Sequence, residues 1–196
     1  MQNKVFLMTK NPIHGLIKKR LSKEIGNCNS KRFILLNIDN IQKILINKKN
    51  FKLFFYTTPT KKFRGFSFNF KRNVVLQKGA NIGEKIWYLK SLIQESFILI
   101  GSDIPDINFV DLCKAFKILK SKDIVIGPTY DSGFWLIGFS NKKSIIYPFK
   151  NIRWSTEYTL SDLVTNIAKN GNSFYFCKKL RDIDIIDDYC EYSNKV

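Results

Sequence analysis

Short runs of β-branched and aromatic residues recur along the chain, separated by stretches of about a dozen residues with helical spacing. KVFLMT (4–9), FKLFFYTTP (51–59), NVVLQ (73–77), FILIGSD (97–103), DIVIGP (123–128), GFWLIGF (133–139) and SFYFCKK (173–179) read as strands. LIKKRLSKEIG (16–26) reads as a helix stopped by Gly26, and SKRFILLNIDNIQKILIN (30–47) as a second with apolar residues at 34, 38, 41 and 45. IGEKIWYLKSLIQ (82–94), FVDLCKAFKILK (109–120) and STEYTLSDLVTNIAKNG (155–171) follow, the last with Ser or Thr at its N-cap and Gly171 at its stop. Residues 61–72 alternate Phe66, Phe68 and Phe70 with polar residues and read as an edge strand. Strands alternating with helices leave few options, because parallel neighbours must be joined through a crossover. A doubly wound α/β sheet is expected. No repeat or Pro/Gly/Ser-rich linker interrupts the pattern, so residues 1–196 are expected to form one domain.

Composition narrows the function classes. The net charge is +17, yet 27 of the 33 basic residues are Lys, in a chain also rich in Ile and Asn, a bias that tracks composition as much as function. The distribution is more telling: residues 1–100 hold 20 Lys/Arg against 4 Asp/Glu, whereas residues 101–196 hold 13 against 12. A basic half attracts phosphates, and an acidic cluster beside it suits a divalent cation. A salt-sensitive module stacking single strands on Phe66, Phe68 and Phe70 is the non-enzymatic alternative, and no specific nucleic-acid partner is expected. Cys28, Cys113, Cys177 and Cys190 form no CxxC pair and His14 is the single His, so a zinc site is not expected and the thiols read as mostly interior. No apolar run approaches about 18 residues. Val5–Met8 is too short for a signal peptide, and a cytoplasmic location without a transmembrane segment is expected.

In doubly wound sheets, ligands bind beyond the carboxyl ends of the strands. FILIG ends there on Ser102-Asp103, and Ile104-Pro105 turns the chain away. Asp131 occupies a tight turn between two apolar strands, and Asp182 and Asp184 follow the last strand. Asp103, Asp182 and Asp184 are the residues expected to hold magnesium or manganese, which take oxygen ligands. On the basic side KNPIHGLIKKRL (10–21) opens the first helix: Gly15 permits close backbone approach, and Lys10, Lys18 and Arg20 supply charge at a helix start.

Taken together, these segments resemble a bacterial family of GT-A-like proteins in the nucleotide-diphospho-sugar transferase superfamily, long a domain of unknown function, some of whose members are described as arsenosugar biosynthesis glycosyltransferases. The family's K-x-P-x-x-G-x-x-K-T-R-L stands here as KNPIHGLIKKRL and its Q-x-G-x-D-L-G-x-R-M as QKGANIGEKI. Its G-S-D-x-P stands as GSDIP, and its G-P-A-x-D-G-G-Y-x-L-x-G as GPTYDSGFWLIG. W-S-T and D-I-D are present at 154–156 and 182–184. The chain departs from the pattern at Lys19, Asn81, Lys85 and Ser132, where the family has Thr, Asp, Arg and Gly.

The resemblance implies a single-domain GT-A-like fold, a mixed but mostly parallel sheet flanked by helices. It implies a nucleotide over the first loop, with Lys10, Gly15, Lys18, Arg20, Gln77 and Gly79 around it and Asp103 in the place of a metal-binding aspartate. The expected activity is metal-dependent glycosyl transfer from a nucleotide diphosphate sugar to a small-molecule acceptor. Asp131 and Asp103 would be catalytic, Asp131 as base or as a sugar-orienting group. Trp154, Ser155 and Thr156 would flank the acceptor, although Ser155 and Thr156 also read as a helix cap. Nucleotidyl transfer from a nucleoside triphosphate to a phosphorylated small molecule is the alternative.

Overall fold

The computed structural model describes residues 2–10, 18–58 and 73–193. Within them seven strands share one sheet: β1 (Asn3–Thr9), β2 (Phe51–Thr57), β3 (Val74–Leu76), β4 (Phe97–Gly101), β5 (Ile124–Pro128), β6 (Phe134–Phe139) and β7 (Phe174–Phe176). Their order is β3-β2-β1-β4-β6-β5-β7. β6 runs antiparallel to both neighbours, and the other pairings are parallel. The helices are α1 (Lys19–Leu45), α2 (Ile82–Leu92), α3 (Phe109–Ile118), α4 (Thr159–Lys169) and α5 (Ile186–Ser193). The mixed, mostly parallel α/β sheet expected from the alternation is the architecture found.

Central strands are apolar at successive positions because each face of the sheet packs under helices. Val5, Leu7, Ile98, Ile100 and Val125 join one core with Ile34, Ile38, Ile41 and Leu45 of α1. Phe6, Phe97, Leu99, Ile124 and Ile126 join the other with α2 and α4. The period-2 alternation of β1 and β4 thus divides one sequence run between two cores.

The two helices read on either side of Gly26 are one element, α1, interrupted where Gly26 leaves helical geometry at φ 82°, ψ 156°. α4 differs from expectation. It begins at Thr159 rather than at Ser155, its N-cap position is Tyr158, and no side chain caps it. Ser155 has φ 61°, a left-handed conformation that turns the chain instead of starting a helix, and Thr156 donates its hydroxyl to the Arg153 carbonyl. The cysteines also differ: Cys177 is buried, but Cys28 and Cys190 are exposed on helices. The strand expected over 61–72 lies outside the described residues. No helix among the described residues is long and apolar enough to cross a membrane.

Chain direction locates the site. From β1 the chain moves outward to β2 and β3, then returns to place β4 on β1's other side. The strand order therefore reverses between β1 and β4, and a crevice lies at their carboxyl ends. The β5–β6 turn and the segment after β7 reach the same rim: Leu180 bridges Thr129, and the Ile183 N–H donates to the Asp103 carbonyl at 3.1 Å.

Gly138 in β6 tests how closely the sheet is covered. A Cβ there would stand 2.7 Å from Val125 Cγ2 and 2.8 Å from Ile98 Cγ2, both buried. Gly138→Ala is expected to cost about 2 kcal/mol by overpacking. Thermal unfolding should show this as a Tm lower by roughly 4–8 °C.

Candidate active site

Two adjoining cavities occupy the crevice. The first, about 630 Å³, opens between the ends of β1, β2 and β4. Among the described residues five basic side chains line it, Lys10, Lys18, Lys19, Arg20 and Lys85, against two carboxylates, Asp103 and Asp184. The second, about 660 Å³, lies toward the β5–β6 turn, where, among the described residues, Asp103, Asp131, Glu157, Asp182 and Asp184 face one guanidinium, that of Arg20.

Lys18 stands where the cavities meet. It has φ 53° and ψ 62°, immediately before α1, and its side chain is 13% exposed. Its ammonium pairs with Asp103 Oδ2 at 2.5 Å and with Asp184 Oδ1. Burial alone would lower its pKa, but attraction to and hydrogen bonds with both carboxylates overcome that penalty and hold it above its ordinary value. Gly101 makes room for this pairing, since a Cβ there would lie 2.7 Å from Asp103 Oδ1.

Asp103, Asp182 and Asp184 carry the oxygen donors a hard cation takes. As the side chains stand, however, the Lys18 ammonium lies between two of the three, and no three acidic, His or Cys groups among the described residues close into a coordination set. The expected trio does not fit a divalent cation in this arrangement.

Asp182 shows the electrostatic consequence. Burial, followed by repulsion from Asp131, Asp103 and Asp184, pushes its carboxyl up to about 7, while Lys18 pulls the other way. Asp131 is anchored through Oδ1, which accepts from Thr129 Oγ1 at 2.5 Å and from the Gly133 N–H at 3.0 Å. Its turn contains Ser132 at φ 67°, whose carbonyl accepts from Leu160 N at the start of α4.

Other expected site residues have structural duties. Gln77 is buried at the first cavity and donates its amide to the carbonyls of Tyr56 (2.7 Å) and Thr9 (3.4 Å), tying the ends of β1 and β2. Gly79 lines neither cavity. A Cβ on it would lie 2.7 Å from Glu84 Cβ and 2.8 Å from Lys85 N, so it lets α2 start closely. Asn81 caps α2 by accepting from the Glu84 N–H at 2.9 Å, a duty Asn and Asp perform about equally, which accounts for the departure there. Lys85 remains on the first cavity, while Trp154, Ser155 and Thr156 line the second. Gly15 lies outside the described residues. Trp135 went unremarked in the sequence, where it reads as an ordinary core aromatic. It is 2% exposed and lines both cavities, with Nε1 donating to the Lys178 carbonyl.

Comparison with known proteins agrees with this architecture. A solved structure of a proposed nucleotide-diphospho-sugar transferase from Desulfovibrio desulfuricans G20 superposes with a TM-score of 0.84 at 22% identity, covering 96% of this chain and 85% of that one. CMP:2-keto-3-deoxy-manno-octonic acid synthetase complexed with CTP gives 0.57 at 7% identity, with full coverage of both chains. The 4-diphosphocytidyl-2C-methyl-D-erythritol synthase of Anaerococcus prevotii gives 0.56 at 9%, covering 99% and 98%. The fold is that of the nucleotide-diphospho-sugar transferases. Within it, the family described as "Uncharacterized protein conserved in bacteria (DUF2064)" matches residues 45–156, over half the chain, and the chain belongs to that family. No curated protein matches.

Two stability effects follow from this geometry. Between about pH 4 and pH 7 native Asp182 keeps a proton that the unfolded chain has released, so native stability falls as pH rises through that window. Asp182→Asn should therefore raise Tm at pH 8, by about 4–8 °C for roughly 2 kcal/mol after allowance for solvent screening, and leave it unchanged at pH 4. Ser132→Gly should stabilise by about 0.5–1 kcal/mol in denaturant titration, because glycine adopts positive φ without a Cβ penalty.

Proposed function

We propose that the protein transfers a glycosyl group from a nucleotide diphosphate sugar to a hydroxyl acceptor. The observation that carries this reading is the first cavity: five basic side chains beside the start of α1, at the switch point of a nucleotide-diphospho-sugar-transferase fold. An anionic diphosphate suits such a wall.

In this reaction the acceptor oxygen forms a bond to the anomeric carbon as the bond from that carbon to the diphosphate oxygen breaks. Negative charge grows on the departing nucleoside diphosphate, where Lys10, Arg20, Lys85 and the first N–H groups of α1 stabilise it. The acceptor hydroxyl gives its proton to a carboxylate of the second cavity. Asp182, with its pKa near neutrality, suits that transfer better than Asp131, the base expected from sequence. Asp131, anchored by Thr129 and Gly133, positions the sugar or acceptor. Lys18 holds Asp103 and Asp184 in register.

Nucleotidyl transfer is the second reading, supported by the fold shared with two cytidylyltransferase-type synthases. The products separate the two: free nucleoside diphosphate from glycosyl transfer, pyrophosphate from nucleotidyl transfer.

The test is thermal-shift screening of nucleoside triphosphates, nucleoside diphosphates and nucleotide sugars, each with manganese and with chelator, on wild type, Asp103→Ala and Arg20→Ala. At least one nucleotide sugar should raise wild-type Tm by several degrees, and Arg20→Ala should weaken its binding about tenfold. Transfer should rise with pH through about 7, a dependence lost in Asp182→Asn. No shift with any nucleotide under either condition would sink the reading.

A further inference from the structure

The two cavities share a wall that includes Arg20, Asp103, Phe134 and Trp135, yet their linings are opposite in charge. Among the described residues, basic groups outnumber carboxylates five to two in the first, and carboxyl groups outnumber a single guanidinium five to one in the second. The contrast is local, since the whole chain carries +17. From this contrast, resting on the transferase reading of the first cavity, we infer that the second cavity takes a polyhydroxylated acceptor without phosphate or carboxylate and rejects its phosphorylated counterpart.

Three features support this. An anionic group in the second cavity would meet carboxylates on three sides: Asp103 after β4, Asp131 in the β5–β6 turn, and Asp182 and Asp184 after β7. Like charges at such range oppose entry strongly in a partly enclosed space. Lys18, between the two cavities, already has its ammonium on Asp103 and Asp184 and is not offered to an incoming phosphate. Hydroxyls, by contrast, donate to carboxylates, and Trp154 with Trp135 and Phe134 supplies the apolar wall a sugar-like ring packs against. Selection works through repulsion as much as attraction. Crowding of these carboxylates adds to burial in raising the pKa of Asp182.

The experiment compares matched pairs, glycerol with glycerol 3-phosphate and glucose with glucose 6-phosphate. Binding is read directly from the Trp154 indole N–H resonance, assigned with Trp154→Phe, both alone and with a saturating nucleotide sugar. Where a donor is found, kcat/KM is also measured. The unphosphorylated member should bind at least tenfold more tightly in at least one pair, and Glu157→Lys, an exposed change at the cavity rim, should narrow the gap at least threefold. Equal or tighter binding of the phosphorylated members overturns the inference, as does failure of both pairs to perturb Trp154 or a gap insensitive to Glu157→Lys. If no nucleotide sugar binds, the transferase reading fails alone, and the direct titrations still decide the charge preference.

Discussion

The ammonium of Lys18 lies between Asp103 and Asp184, and three distant parts of the chain meet on it: the start of α1, the end of β4 and the segment after β7. Two carboxylates packed side by side repel unless a cation sits between them. With Lys18 there, the closing D-I-D segment can lie against β4, where the Ile183 N–H reaches the Asp103 carbonyl and Ile183 itself is buried. Removing one partner of such a group leaves charge without compensation in a shielded place, a larger loss than the pair's net contribution. The left-handed backbone of Lys18 fits this account. The chain accepts an uncommon conformation where the side chain is otherwise fully committed.

That one cation divides the crevice. On its basic side Arg20 and Lys85 face a cavity shaped for an anion, and on its acidic side carboxylates gather around Asp182. Holding opposite fields within one crevice suits transfer between a charged donor and an uncharged acceptor. On the proposed reading the anionic donor is drawn to the basic cavity and repelled from the acidic one. The raised pKa of Asp182 comes first from its burial and then from the same crowding of carboxylates.

Departures from the family pattern sort themselves by what each side chain touches. Asn81 preserves a helix cap, and Lys85 keeps a charge on the first cavity but gives up the planar fork of an arginine. Ser132 holds positive φ in place of glycine, a small strain in a turn whose carbonyl anchors α4. Gln77 and Gly79 serve the ends of β1 and β2 and the start of α2, so their place in a motif reflects the sheet's needs as well as a ligand's.

Much of the fold was legible in sequence because period-2 and period-3.6 patterns are local properties of the chain. The strands over 4–9, 51–57 and 97–101 and the buried stripe at 34, 38, 41 and 45 follow from them directly. Gly26 and Gly171 marked real breaks, since positive φ needs no tertiary partner to exclude most residues. The start of α4 was misjudged because Ser155 and Thr156 have the chemistry of a cap, whereas the turn they adopt is set by contacts to Arg153 and Thr159. The carboxylates could be named from sequence as a group at strand ends. That two of them share the Lys18 ammonium was decided only when residues 18, 103 and 184 met in space, because Coulomb energy depends on distance and burial, and neither is written in the order of residues.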